Sequence, residues 1–264
     1  MSDRWGNGML TDWSWLAVPL AASALMTVCL VPLGQRVLAR GVVFADLAVA
    51  QWAALGSLAG LTWLPSLTLA GVPISSLVFA LLAVALVQLM VRRVPAYREA
   101  LIGSLYVLGA TLATLLVSHD PHGAQRLAQT LNGDLLWVIP SDLPILAITA
   151  GAVVVWQALL PDEWRNRLFL PLFAVAVTLA VELAGIYVVF ATLIMTPLAL
   201  CHLRGHGWGA AALAALLGHG LGLFLSSAAD LPAGPTIVIA LFGISVIVPL
   251  AWPAIDAGLT RQRG

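Results

Sequence analysis

Long apolar runs constrain this chain more than any other feature. Hydrophobic residues make up 61% of its 264 residues, and charged residues make up only 9%. A soluble domain carries roughly a quarter charged residues, so a soluble fold of this chain would lack polar residues for its surface. Runs of about 20 apolar residues are long enough to cross ~30 Å of hydrocarbon. The sequence therefore predicts an all-α fold, a polytopic transmembrane helical bundle.

The apolar runs divide into about nine candidate spans, with eight as the alternative count. They cover residues 14–34, 43–63, 72–91, 100–118, 143–160, 168–183, 185–202, 208–228 and 233–253. The sixth and seventh are nearly continuous. As one helix they would be ~52 Å long, which is too long for a single crossing. We therefore place a break near Glu182–Gly185, where a charge and a glycine coincide.

The cationic residues predict the orientation. All twelve are arginine, and cytoplasmic loops of membrane proteins are enriched in such residues. With the N-terminus outside, only Arg4 and Arg126 fall in outer gaps. The inner gaps hold Arg36, Arg40, Arg92, Arg93, Arg98, Arg165, Arg167, Arg204, Arg261 and Arg263. This predicts an N-out, C-in topology with a short tail (1–13), one transmembrane domain (14–253) and a cytoplasmic tail (254–264).

Missing residues and motifs exclude several functions. Without lysine the chain cannot form a Walker A loop or a Schiff base. It also has no H-E-x-x-H and no G-x-S-x-G motif. Its formal net charge is zero, which gives no indication of a nucleic-acid partner.

Two polar residues interrupt the second span. Asp46 lies a few residues inside it, and a carboxylate near the bilayer core usually faces a cavity or a partner. It either lines a cation pathway or caps the start of the helix. Gln51 follows about 140° around the helix, either on the same pathway or in an interhelical hydrogen bond.

Two further ionisable residues are candidates for the pathway. Glu182 lies at the predicted break, and broken helices often line transport sites. The alternative is a surface glutamate in a short outer turn. His219 lies mid-span among glycines that allow close helix approach, so it is either a pathway residue or a packing hydrogen bond.

The outer loop begins with a possible metal site. His119 and His122 flank Asp120, and two imidazoles with a carboxylate can bind a divalent ion such as zinc. The alternative is a solvated loop, which is the more common role of polar loop residues.

Four stretches resemble the membrane permeases of zinc, manganese and iron importers, the ABC-3 family. They are Phe44 to Gly56, Leu131-Asn132-Gly133-Asp134-Leu135-Leu136, Gly185 to Pro197, and Asp230 to Thr236. Their order spans most of the chain. The resemblance implies a vitamin-B12-permease-like fold and a homodimer in the lipid of the bacterial inner membrane. It also implies a separate cytoplasmic ATPase and an extracytoplasmic metal-binding protein. A divalent metal would be the transported substrate, with no cofactor bound by this chain.

The chain departs from the family pattern in two places. Gln51 stands where the family commonly has a histidine, which leaves the metal open. The segment that docks into the ATPase is reduced to residues 161–167. Either this short segment still docks, through Trp164 and Arg165, or coupling to ATP has changed. The alternatives are an ATPase-independent carrier of a small solute, an intramembrane enzyme that pairs Asp46 with Glu182, and a non-transport membrane subunit.

Overall fold

The computed structural model describes residues 13–41, 44–69, 71–93, 95–133, 135–200 and 208–261. These residues form a helical bundle with one short antiparallel hairpin, β1 (Thr68–Leu69) and β2 (Val72–Pro73). The helices are α1 (Ala17–Arg40), α2 (Ala45–Trp63), α3 (Ile74–Arg93), α4 (Arg98–Val117), α5 (Gly123–Asn132), α6 (Leu143–Leu159), α7 (Asp162–Phe190), α8 (Thr196–Leu200), α9 (Trp208–Ala229) and α10 (Ala233–Arg261). Residues 1–12 of the predicted 1–13 tail lie outside the described residues, and so do Asp134, Arg204 and Arg263.

Most of these helices have the length and composition of membrane spans. Within the described ranges, seven helical segments are long and apolar enough to cross a bilayer. Helix α2 is not among them, because Asp46 and Gln51 lower its mean hydropathy. It is nevertheless the most enclosed helix, packed against α3, α4 and α7. The all-α bundle is confirmed, while the number of crossings and the orientation stay predictions.

Helix α7 contains the predicted break. Gly185 has φ 78° and ψ 165°, which are not helical angles. A π-helical turn (Ala191–Met195) and α8 then continue the chain to Leu200. Asn166 contacts Arg40 of α1, and Leu193 lies against Gly34 of the same helix. Gly34 and Arg40 are only about 9 Å apart along α1. A straight helix would separate Asn166 from Leu193 by about 40 Å, so the chain doubles back at Gly185.

Arginine side chains gather at one end of the bundle. Arg36 and Arg40 at the end of α1 both donate to Asn166 near the start of α7. Arg98 at the start of α4 reaches close to Gly41. These contacts join ends of helices that the charge pattern assigned to one side of the membrane. We call this region the arginine-rich end.

Two predicted boundaries need correction there. The first span was expected to end at residue 34, but α1 continues to Arg40. Its arginines remain near the helix because their guanidinium groups lie over the Trp156 and Phe169 rings. The segment 161–167 was expected to be a loop between spans, but it is helical from Asp162 onward. The connection from α6 to α7 is therefore only Leu160 and Pro161.

Candidate transport site

Asp46 is buried near the start of α2. The residue is 2% exposed, and neither carboxylate oxygen has a hydrogen-bond partner among the described residues. The amides of Asp46 and Leu47 lie nearby, but neither meets hydrogen-bond geometry. The helix-capping interpretation of Asp46 therefore has no hydrogen bond to support it. A carboxylate in this position can accept a cation or a proton, because its lone pairs are unused.

Glu182 lies on α7 opposite the other half of α2. The Ser57 hydroxyl donates to Glu182 Oε2 across 3.1 Å, while Oε1 is buried and has no partner among the residues described. Ser76 of α3 lies close to the same carboxylate, although its hydroxyl donates to the Ala53 carbonyl at 2.9 Å. Glu182 is thus enclosed by α2 and α3, and the surface-turn interpretation does not describe it.

Asp46 and Ser57 share one face of α2. They are eleven positions apart, which brings them within about 20° of each other around the helix. The same spacing separates them by about 16 Å along the axis. Because Ser57 contacts Glu182, the two acids lie at different depths and do not form a pair. Asp46 and Glu182 therefore do not form the acid pair that an intramembrane enzyme would need.

Gln51 is buried but lies elsewhere on α2. Its exposure is 2%, and its Cγ lies beside Gly109 of α4. The neighbouring Trp52 donates its indole N–H to the Leu105 carbonyl at 3.0 Å. The structure therefore places Gln51 between α2 and α4, about 120° around the helix from Ser57.

His219 is fully buried in a separate group of helices. Its Nε2 lies 2.8 Å from the Thr192 hydroxyl, and its Nδ1 has no partner among the described residues. Thr192 belongs to the π-helical turn, a geometry that often occurs at functional sites. Helix α9 packs mainly against α1, α8 and α10. His219 is therefore not brought together with Asp46 and Glu182.

Three glycines meet just beyond Glu182. A Cβ on Gly133 would overlap the backbone of Ala184 and Gly185, and one on Gly234 would overlap the Asn132 carbonyl. Gly133 and Gly185 also have positive φ angles of 64° and 78°. Three of the four stretches that carry the family resemblance thus converge at one backbone contact. The order of the stretches along the sequence did not predict this convergence. The sequence analysis also missed Ser57 as a site residue, although its i+11 spacing from Asp46 places the two on one face of α2.

The outer histidines make local contacts only. His119 Nδ1 lies 3.1 Å from the Ser118 hydroxyl, and the His122 amide donates to Asp120 at 2.9 Å. Asp120 also forms an ion pair with Arg126 at 3.0 Å. Among the described residues no group of three or more histidine, cysteine, aspartate or glutamate side chains could hold a metal ion. The metal site at His119 and His122 stays a prediction.

Trp164 and Arg165 differ in exposure. Arg165 pairs with Asp162 at 2.6 Å and reaches the Gln157 carbonyl, while its own carbonyl accepts from Trp156. Its side chain therefore stabilises the α6–α7 corner. Trp164 is 52% exposed, and Arg167 lies 5.7 Å from its ring. Of the two, only Trp164 offers a free surface for a partner.

Comparison with known families identifies the chain. The model of the ABC-3 transport family matches residues 13–166, which is more than half of the sequence. The chain belongs to the ABC-3 family. A member of this family is a membrane permease of the ABC transporter type and not itself an enzyme. The match ends in the first turns of α7, just after the shortened connection. This result favours a transport role over a non-transport membrane subunit.

Solved structures agree with the family. This ABC-3 permease has the fold of PsaBC from Streptococcus pneumoniae, solved in complex with a Fab. The TM-score is 0.74 at 17% identity, over 90% of this chain and 92% of that one. It also resembles a metal-chelate type ABC transporter in an inward-facing conformation. There the TM-score is 0.62 at 17% identity, over 87% and 85% of the two chains. No protein of curated function matches the sequence.

Proposed function

We propose that this ABC-3 protein is the permease subunit of an ABC importer for divalent metal ions. It would work as a homodimer in the bacterial inner membrane. A cytoplasmic ATPase and an extracytoplasmic metal-binding protein would complete the complex. Family membership supports the transporter class, and the likeness to a metal-chelate type transporter supports metal as the cargo.

The observation that carries this proposal is the unpaired carboxylate of Asp46. Buried polar groups are nearly always hydrogen-bonded, and a bare carboxylate inside a membrane protein is costly. Asp46 is buried, and neither of its carboxylate oxygens has a hydrogen-bond partner in the part of the chain that the structure describes. A passing cation would provide the missing interaction.

Glu182 and Asp46 would act in sequence along one face of α2. Under the predicted orientation, an ion from outside reaches Glu182 and Ser57 first and Asp46 about 16 Å further in. Helix α7 packs against α2 over this stretch, so the ion can pass only when these helices separate. ATP hydrolysis on the partner subunit would drive that separation by alternating access.

The type of ligand atom along the proposed pathway indicates which divalent metal suits it. Asp46, Ser57 and Glu182 offer only oxygen, and Gln51 replaces the imidazole common in the family. Oxygen ligands suit manganese, whereas zinc more often takes histidine or cysteine. Manganese is therefore our first choice among manganese, iron and zinc.

One observation keeps an ATPase-independent carrier as the second candidate. The α6–α7 connection has two residues, Leu160 and Pro161, and contains no docking helix. In an ATP-coupled permease the exposed Trp164 would have to provide much of the contact at this corner.

Co-purification separates the two candidates. Tagged protein would be isolated from its native membrane in mild detergent, and associated chains would be identified and counted. We expect a stoichiometric ATPase whose hydrolysis rises with Mn²⁺. An Asp46→Asn variant should retain the ATPase but lose the metal stimulation. Intact dimers without an ATPase would contradict the proposal and favour the carrier.

A further inference from the structure

A cavity opens at the arginine-rich end of the bundle. Its volume is about 390 Å³, and it lies between α1, α3 and α7. Small-molecule sites usually span ~300–1,000 Å³, so this one can hold a small polar group. Arg40, Gln88, Arg92 and Asn166 supply its polar wall. Neither Asp46 nor Glu182 lines it.

The polar wall is rich in hydrogen-bond donors. Arg40 Nη2 donates to Asn166 Oδ1 at 3.2 Å, and Arg36 Nη1 donates to the same oxygen at 3.5 Å. With its oxygen occupied by two guanidinium groups, Asn166 offers its NH₂ group as a further donor. The Arg40 guanidinium lies 3.9 Å from the centre of the Phe169 ring, which fixes its position at the cavity.

No carboxylate balances these arginines within the described part of the chain. The ion pairs formed there join Arg126 to Asp120 and Arg165 to Asp162. Among the residues that the structure describes, no acidic side chain lies within 4.0 Å of Arg36, Arg40 or Arg92. Two unneutralised cations and a free amide facing one cavity are suited to an anion.

The remaining wall is apolar. Val87, Val91 and Leu170 line it, so a cationic surface and a hydrocarbon surface meet at the end of the bundle. Basic pockets between transmembrane helices on the cytoplasmic side are known to bind lipid head groups. An amphiphile with a phosphate and an acyl chain matches both surfaces.

We propose that this cavity binds a phosphate group, supplied by an anionic phospholipid. Arg92 and Arg40 contact the phosphate oxygens, since the guanidinium fork matches them in a bidentate way. The Asn166 amide adds one donor, and an acyl chain lies along Val87, Val91 and Leu170. The proposed phosphate site does not depend on which substrate is transported. It can therefore be tested separately from the proposed function.

Lipid titration followed by native mass spectrometry tests this site. Purified full-length protein in a zwitterionic detergent would receive dioctanoyl phosphatidylglycerol, dioctanoyl phosphatidylcholine or inorganic phosphate in separate arms. We expect one phosphatidylglycerol per chain. Arg92→Gln should weaken its binding by about tenfold or more, the effect of losing a charged hydrogen bond. Arg93→Gln removes the same charge from the next position of α3, outside the cavity, and should change nothing.

Arg40→Gln provides a second variant, although Arg40 also packs on Phe169. Arg92 is exposed, so we expect Arg92→Gln to fold even if Arg40→Gln does not. Binding of inorganic phosphate alone, with the same dependence on Arg92, would keep the anion site and assign it to free phosphate. Equal phosphatidylglycerol binding by wild type and Arg92→Gln, or no binding of any probe, would overturn the proposal. Loss of the ATPase by Arg92→Gln with unchanged lipid binding would also overturn it, by making the cavity a protein contact.

Discussion

The Ser57 hydroxyl on α2 donates a 3.1 Å hydrogen bond to the Glu182 carboxylate on α7, three residues before the break at Gly185. This contact connects the most enclosed helix of the bundle to the point where the chain reverses. It also places an acidic group beside the backbone contact of Gly133, Gly185 and Gly234. Movement of α7 against α2 must therefore change the surroundings of Glu182.

Glu182→Gln tests the charge at this position. The amide can still accept from Ser57, so we expect normal folding with strongly reduced metal uptake. Ser57→Ala should cost about 0.6 kcal/mol, the average for a hydrogen bond between membrane helices. Thermal unfolding in detergent and uptake per folded protein measure the two effects. Full uptake by Glu182→Gln would remove Glu182 from the pathway.

Gly133→Ala and Gly185→Ala test the backbone contact. Each adds a Cβ where neighbouring backbone atoms already lie, at a positive φ that costs about 1–3 kcal/mol for a non-glycine residue. We expect a large loss of folded protein in size-exclusion chromatography. Gly151→Ala is the matched control, because a Cβ there meets nothing within 4 Å. That change should stabilise helix α6 by about 0.5–1 kcal/mol.

Near-normal yield of either strained variant would show that the contact between the outer loop and α7 is loose. It would contradict the close backbone contact that we describe at Gly133 and Gly185.

The sequence predicted those features of the fold that depend on neighbouring residues, and it missed those that depend on contacts between distant helices. The break near Gly185 was predicted because a charge and a glycine interrupt an overlong apolar run, and the structure confirms it. The end of α1 was placed too early, because Arg36 and Arg40 look like loop residues until Trp156 and Phe169 cover them. Trp156 and Phe169 belong to α6 and α7, and the local sequence around α1 cannot predict contacts with these distant helices.

The candidate site shows the same division. Asp46 was singled out as a charge inside an apolar span, and the structure shows that it is buried, while its role in transport stays a prediction. Glu182 was found because of the break, whereas its partner Ser57 was missed. Pairing between α2 and α7 is a tertiary property, 125 positions apart in sequence. His219 was grouped with the acids because it is ionisable, but its helix packs elsewhere in the bundle.

Thr192→Val tests the role of His219. The change removes the hydroxyl 2.8 Å from Nε2 and leaves both imidazole nitrogens without a described partner. We expect a loss of about 1 kcal/mol in stability, the net value of a typical hydrogen bond. Uptake per folded protein should stay normal, since α9 packs away from α2. A severe uptake defect in well-folded protein would instead place His219 on the pathway.

Trp164→Ala tests the corner between α6 and α7. Half of this side chain is exposed, so its removal should leave the fold intact and weaken association with the ATPase. Arg165→Ala breaks the contacts with Asp162 and Gln157 and should lower thermal stability instead. Pull-down of the ATPase and thermal unfolding distinguish the two. Undiminished ATPase binding by Trp164→Ala would mean that docking uses another surface.

The most direct test of the whole account is Mn²⁺ uptake by the Asp46→Asn permease, reconstituted with its partner proteins. Asparagine preserves the shape of the side chain but removes the charge that a cation would need. Ser23→Ala removes a buried hydroxyl of α1 that has no hydrogen-bond partner among the described residues, and it controls for general effects of changing a buried polar group. The account predicts that uptake is lost in Asp46→Asn at normal expression and is normal in Ser23→Ala. Wild-type uptake by Asp46→Asn would contradict it.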